Sequence, residues 1–101
     1  MTDSYINRIA AEIREAVPGD SVPESDADRL FLLYAVLALT RGEDVDARDI
    51  HNAWAAWMST NDPEHESIVP FERLPTDVKR EDEPYVAAVR TVAQRLDDRD
   101  A

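Results

Sequence analysis

The sequence predicts a mostly α-helical fold, a compact bundle of about four helices with a short irregular or extended segment packed on the third helix. Apolar residues recur at steps of three and four in four separate segments, which is the spacing of a buried helix face. Capping residues, prolines or glycines stand at the ends of these segments. The chain has 101 residues, the size of one ordinary domain, so we expect a single domain over residues 1–101.

The first predicted helix occupies the N-terminal part of the chain. Ser4 or Asp3 can cap it by accepting hydrogen bonds from its first backbone N–H groups. The helix should end at Pro18-Gly19-Asp20, because proline cannot continue the hydrogen-bond ladder. Its apolar stripe consists of Ile6, Ile9, Ile13 and Val17.

The second predicted helix is the most apolar part of the sequence. It should begin at Ser25, and Gly42 lies just past its last turn. Residues 30–39 are apolar on almost every side, which is typical of a central, buried helix. We therefore expect Leu33 and Leu37 to lie in the core.

The third predicted helix has the clearest beginning. Asp46 suits the N-cap and Asp49 the N3 position, while Val45 and Ile50 stand where a hydrophobic staple would place them. Residues 59–63 should end the helix. Its apolar stripe comprises Ile50, Ala53, Trp54, Trp57 and Met58.

The segment from residue 63 to residue 75 should be irregular or briefly extended. Within it, residues 68–71 are too apolar for a free loop, so we expect Phe71 and either Ile68 or Val69 to contact Trp54. Proline at position 70 also biases the residue before it towards an extended conformation.

The fourth predicted helix follows a short helical turn that Pro75 opens. Asp82 or Glu83 can cap the helix, and Pro84 fits its first turn. Residues 97–101 are expected to form a frayed tail. The apolar stripe of this helix comprises Tyr85, Val86, Val89, Val92, Ala93 and Leu96.

Composition restricts the classes of function. The formal charge is −11, from 22 acidic and 11 basic residues, which disfavours direct binding to nucleic acids and to anionic membranes. No cysteine is present, so thiolate metal sites and cysteine nucleophiles are excluded. The N-terminus lacks the basic and apolar parts of a signal peptide. We therefore expect a cytoplasmic protein.

Residues 50–89 carry a pattern of short motifs. His51-Asn52-Ala53-Trp54-Ala55 is followed by His65-Glu66-Ser67-Ile68-Val69-Pro70-Phe71, then by Leu74-Pro75, and finally by Lys79 with Asp82. In this order and spacing the chain resembles the RyR domain, the module repeated in ryanodine receptors and also found in bacterial and phage proteins. The Gly-Trp-x-Tyr-Gly turn of that family is missing here. The resemblance implies a mainly helical binding or sensing module from a bacterium or a phage.

The candidate ligand-binding residues lie on and after the third helix: His51, Trp57, His65 and Glu66. The two histidines are the only ones in the chain, and they could instead join a carboxylate in a metal site or simply hold local backbone. Trp54 is expected in the core, whereas the missing turn can leave an edge of Trp57 open. The acidic residues Asp77, Glu81, Asp82 and Glu83 are interpreted as a solvated face and a helix start.

No catalytic residues, metal ligands or cofactors are predicted. Glycine occurs only at positions 19 and 42, so no glycine-rich phosphate loop is possible. No serine stands in a Gly-x-Ser-x-Gly turn. The leading hypothesis is a small, non-enzymatic binding or sensing module with a protein or small-molecule partner. The alternatives are an acidic protein-interaction or regulatory factor, in its sharper form a nucleic-acid mimic, and a metal-dependent hydrolase that uses His51 and His65.

Overall fold

The computed structural model describes residues 4–19 and 27–100, and it confirms the mostly α-helical fold. The described residues form helices and irregular connections, with no strand among them. Four helices are 12 to 18 residues long and one is a five-residue turn. In chain order they are α1 (Tyr5–Ala16), α2 (Ala27–Thr40), α3 (Ala47–Asn61), α4 (Thr76–Arg80) and α5 (Glu83–Asp100).

Local capping determines where α1 and α3 begin. The Ser4 hydroxyl accepts a hydrogen bond from the backbone N–H of Asn7 at 3.1 Å, which confirms one of the two predicted caps of α1. At α3 the Asp46 and Asp49 side chains each accept from the other residue's backbone N–H, as a capping box requires. The alternative cap Asp3 and the predicted start of the second helix at Ser25 lie outside the described residues.

Helix α2 is the centre of the fold and packs against α1, α3 and α5. One face of it is buried and consists of Ala27, Leu30, Phe31, Tyr34, Ala35 and Ala38. The opposite face reaches the surface, where Val36 is 43% and Leu39 46% exposed. Three neighbouring helices leave one side of α2 uncovered. The prediction that Leu33 and Leu37 lie in the core is therefore wrong, because both are only half-buried against its edge.

Helix α5 closes the core and continues further than expected. Val89 and Val92 are fully buried. The helix runs to Asp100, past residue 97, where a frayed tail was expected to begin. The Arg99 guanidinium donates to both carboxylate oxygens of Glu12 on α1, at 2.7 and 3.2 Å, and holds the last turn against α1. The same hydrogen bond lowers the pKa of Glu12 from its ordinary value.

The connection between α3 and α4 is irregular, as predicted, apart from a short 3-10 turn at Phe71–Arg73. Ile68, Val69 and Phe71 are half-buried, so this apolar stretch does lie against the body of the domain. Pro75 then caps α4. Earlier in the chain, Gly42 ends α2 with a φ of 60°, a left-handed conformation that favours glycine.

Within residues 4–19 and 27–100, no helix combines the length and the apolar character that crossing a bilayer requires.

Candidate functional site

A cleft of about 410 Å³ opens between α2, α3, the connection after α3, and the junction of α4 with α5. The helices contribute its walls, and the connection contributes His65 and Ser67 at one side. Its lining combines aromatic rings, two histidines and two carboxylates. The lining residues are Leu30, Tyr34, His51, Trp54, His65, Ser67, Val78, Glu81, Asp82, Pro84 and Tyr85.

His51 joins α3 to the apolar segment that follows it. The side chain is only 3% exposed, and its Nε2 donates a hydrogen bond of 2.6 Å to the carbonyl of Val69. The ring stacks on Trp54 with centroids 5.7 Å apart and lies 6.2 Å from the Phe71 ring. His51 therefore fixes the segment around Val69 to Trp54 of the cleft wall.

His65 shapes the other side of the cleft. Its Nδ1 accepts a hydrogen bond of 3.0 Å from the backbone N–H of Ser67. In the neutral ring the proton is then on Nε2. The ring meets Trp54 edge-on, with centroids 5.1 Å apart and an interplanar angle of 83°. Trp54 is thus contacted by both histidines, and its indole has a defined orientation.

Two tyrosines form a further aromatic wall. The rings of Tyr34 on α2 and Tyr85 on α5 lie 5.5 Å apart at 42°. Burial raises the pKa of both phenols, and the pKa of Tyr34 rises the more strongly. Both side chains are therefore neutral at physiological pH and present π-faces and hydroxyl groups, not charge.

Asp82 is the most unusual polar group of the cleft. Its Oδ2 is buried and has no hydrogen-bond partner in the part of the chain that the structure describes. Burial raises the pKa of its carboxyl group to about 6; the charge of His51 opposes this rise, and that of Glu81 adds to it. At neutral pH a largely ionised, partly buried carboxylate group thus belongs to the lining of the cleft.

The electrostatic character of the cleft is acidic. Glu81 and Asp82 both line it, whereas none of its described lining residues is a lysine or an arginine. Lys79 is not among the lining residues; its Nζ lies 5.2 Å from the Phe71 ring centroid. Negative charge at the lining disfavours anionic ligands and favours cations.

The structure brings together two of the four predicted ligand-binding residues. His51 and His65 both line the cleft. Glu66 is exposed outside it. The assignment of the two tryptophans is reversed, because Trp57 is 7% exposed and belongs to the core, whereas Trp54 is half-buried and lines the cleft.

Besides Trp54, other residues of the site were missed from sequence, among them Tyr34, Asp82 and Tyr85. Tyr34 and Tyr85 sit in apolar helix stripes and look like ordinary core residues. Asp82 belongs to an acidic run that was interpreted as a solvated face, which is wrong for this residue because its Oδ2 is buried. Its place beside Lys79 in the family-like motif was the one signal that could have distinguished it.

Phe71 was expected to meet Trp54. Its ring lies 6.2 Å from that of His51, and His51 in turn stacks on Trp54, so the histidine links the two residues.

Metal coordination was the chemical alternative for the histidines. In residues 4–19 and 27–100, no group of three or more histidine, aspartate or glutamate side chains is placed to hold a metal ion.

The fold and the cleft define a small helical domain with an aromatic, acidic concavity between its helices. The family model called Domain of unknown function (DUF7701) matches residues 4–94, and the chain belongs to this family. No curated protein and no solved structure matches the chain significantly.

Asp82→Asn is expected to stabilise the folded domain at pH 7.5 by about 1 kcal/mol. The carboxyl group has a folded pKa of about 6, above its unfolded value of about 3.9, so it binds its proton more tightly when folded. Its favourable contribution to folding is complete below the unfolded pKa and is lost as the pH rises through 6. A pKa shift of this size corresponds to at most roughly 3 kcal/mol in the free energy of folding, and solvent in the open cleft reduces this value.

Urea unfolding of the Asp82→Asn variant and the wild type at pH 4 and pH 7.5 measures this difference. Asp77→Asn is the matched control, because it removes the same charge from an exposed position of α4. A loss of stability at pH 7.5 in Asp82→Asn would show that the carboxylate has a favourable partner in the folded domain.

Proposed function

We propose that this domain is a non-enzymatic binding or sensing module that takes a small organic ligand into the cleft between α2, α3 and the α4–α5 junction. The observation that carries the proposal is a cleft in which the carboxylate residue Asp82 lines the same space as the aromatic residues Trp54 and Tyr85. This carboxyl group is partly buried, which raises its pKa to about 6. A ligand that donates hydrogen bonds to the carboxylate would offset the cost of its desolvation.

The dimensions and the lining support small-molecule binding. A volume of about 410 Å³ falls within the range of about 300–1,000 Å³ that is usual for ligand pockets. Such pockets combine apolar and aromatic walls with a few placed polar groups. Here Trp54 and Tyr85 supply the walls, while His65 and Asp82 supply polar groups.

We include in this proposal the RyR-type assignment and a cytoplasmic location. The residues that carry the resemblance surround one place in the fold: His51, Trp54, His65 and Asp82 line the cleft. Because the residues that resemble the RyR domain line one cleft, they support a binding role like the one that the resemblance implies. The cysteine-free, acidic composition supports a cytoplasmic setting.

A thermal-shift screen of a metabolite library on the full chain, followed by NMR titration of the hits, tests the proposal. Ligands of the cleft should shift the indole N–H signal of Trp54. Their affinity should fall in Trp54→Ala, because the indole forms a wall of the cleft. Tyr5→Ala is the matched control, since Tyr5 is an aromatic residue that is 65% exposed and lies on α1.

Circular dichroism of both variants verifies that they are folded. Hits that bind Trp54→Ala as tightly as the wild type would contradict the proposed site. A library that yields no ligand able to shift the Trp54 signal would contradict the proposed function.

A protein-interaction role is the second candidate, and the exposed face of α2 favours it. Val36 is 43% and Leu39 46% exposed on the same helix, beside the half-buried Leu32 and Leu33. Exposed apolar side chains in one region are typical of protein contact sites. The net charge of −11 would favour a basic partner around such a contact. Val36→Asp and Leu39→Asp should abolish such binding and leave ligand binding in the cleft intact.

A further inference from the structure

We propose that the ligand of the cleft is a primary or secondary organic ammonium ion, whose N–H groups donate to the carboxylate of Asp82 and whose apolar body lies among Trp54, Tyr34 and Tyr85. This ligand class rests on the proposed function of the cleft. It follows from three separate properties of the lining: the hydrogen-bonding capacity, the aromatic faces and the sign of the charge.

The cleft favours a ligand that donates hydrogen bonds. An ionised carboxylate only accepts hydrogen bonds, and two carboxylate residues, Glu81 and Asp82, line the cleft. The Nε2 proton of His51 is directed to the Val69 carbonyl. A ligand with N–H groups therefore matches these acceptors, and a charge-assisted bond is the stronger kind.

The aromatic faces of the cleft also suit a cation. Trp54 is held edge-on by His65 and face-on by His51, so its orientation is fixed before a ligand arrives. The Tyr34 and Tyr85 rings stand on the α2 and α5 sides. Aromatic π-faces attract cations, with tryptophan the best of them, and they also pack against flat apolar groups.

The charges around Asp82 disfavour anionic ligands. The titratable groups that line the cleft with it are Glu81 next to it, His51 on α3, His65 in the connection, and the neutral phenols of Tyr34 and Tyr85. No lysine or arginine is among the described lining residues. A phosphate or carboxylate ligand would meet two carboxylates without a compensating cation, and its binding would be unfavourable.

The test uses ligands that share one carbon skeleton and differ in charge. The probes are 2-phenylethylamine as the cation, 2-phenylethanol as the neutral analogue and phenylacetate as the anion. Tryptophan fluorescence and NMR titration of the full chain at pH 7.5 give the affinities. We expect the amine to bind about 10- to 100-fold more tightly than the alcohol, as one charge-assisted hydrogen bond provides. Phenylacetate should bind most weakly.

A fourth probe, trimethyl(2-phenylethyl)ammonium, keeps the positive charge and removes the N–H donors. We expect it to bind at least about tenfold more weakly than the primary amine. Asp82→Asn should reduce the affinity for 2-phenylethylamine by about tenfold or more, whereas the exposed Asp77→Asn should leave it unchanged.

The outcomes separate this ligand class from the proposed function. Equal or tighter binding of the alcohol or the anion at the Trp54 signal would overturn the ammonium class and would support a ligand site in the cleft. Equal binding of the trimethylammonium probe would overturn hydrogen bonding to Asp82. If none of the probes binds at millimolar concentration, the ammonium class is wrong, and the library screen decides separately whether the cleft binds ligands.

Discussion

Phe31→Ala is expected to lower the free energy of unfolding by about 3–5 kcal/mol, since it removes a large buried ring and leaves a cavity that the surrounding helices cannot fill. Phe31 is 1% exposed at the centre of α2. Its ring meets Tyr34 edge-on with centroids 5.5 Å apart, so the loss includes an aromatic pair. Urea unfolding monitored by circular dichroism measures the change.

The control for this variant is Leu39→Ala on the same helix. Leu39 is 46% exposed, and leucine and alanine are both good helix formers, so the expected change is below about 0.5 kcal/mol. A cost for Phe31→Ala as small as that for Leu39→Ala would mean that the buried face of α2 is not the one described here.

His51→Ala is expected to lower the free energy of unfolding by about 3 kcal/mol. The substitution leaves the Val69 carbonyl without its donor, which costs about 1–3 kcal/mol for a buried group. It also removes a ring that is 3% exposed and packs against Trp54 and Phe71. The fluorescence of Trp54 should change as well, since its stacked neighbour is lost.

His51→Phe separates the two contributions. It keeps an aromatic ring between the neighbouring side chains and removes only the hydrogen bond to Val69. We expect it to recover about half of the stability lost in His51→Ala, and to leave the segment after α3 more open to amide hydrogen exchange. Full recovery would show that the hydrogen bond contributes little. No recovery would show that the bond alone holds the segment.

Much of the fold follows from local sequence patterns such as helix caps. Ser4 and the pair Asp46 and Asp49 cap their helices as predicted, because capping depends on residues only three positions apart. The extent of α5 was not predictable in this way. Its last turn depends on Glu12, which is 87 positions away from Arg99 in the chain. Contacts of that range leave no local pattern.

The residues of the cleft show the same limit to prediction from local sequence. Trp54 and Trp57 lie three positions apart on one face of α3, so the helical spacing alone predicts the same burial for both. Which of the two is buried depends on where the connection carrying His65 folds back. That placement arises from tertiary contacts such as the one between His51 and Val69, which sequence spacing does not reveal.

Asp82 illustrates a different difficulty. Aspartate within a charged run is usually exposed, so composition predicts a solvated face. The burial of its Oδ2 results from the way α4 meets α5 opposite α2, not from its neighbours in sequence. A residue that departs from its compositional expectation in this way is where a functional site is most often found.

The pairing of the first and last helices has a consequence for synthesis of the chain. Helix α1 packs on α5, and Glu12 receives Arg99, so the two ends of the sequence complete one core. During translation, the apolar surface of α1 and α2 that α5 covers therefore stays exposed until α5 has been synthesised. Contacts this distant in sequence form late, and the acidic surface helps to keep the partly folded chain from associating.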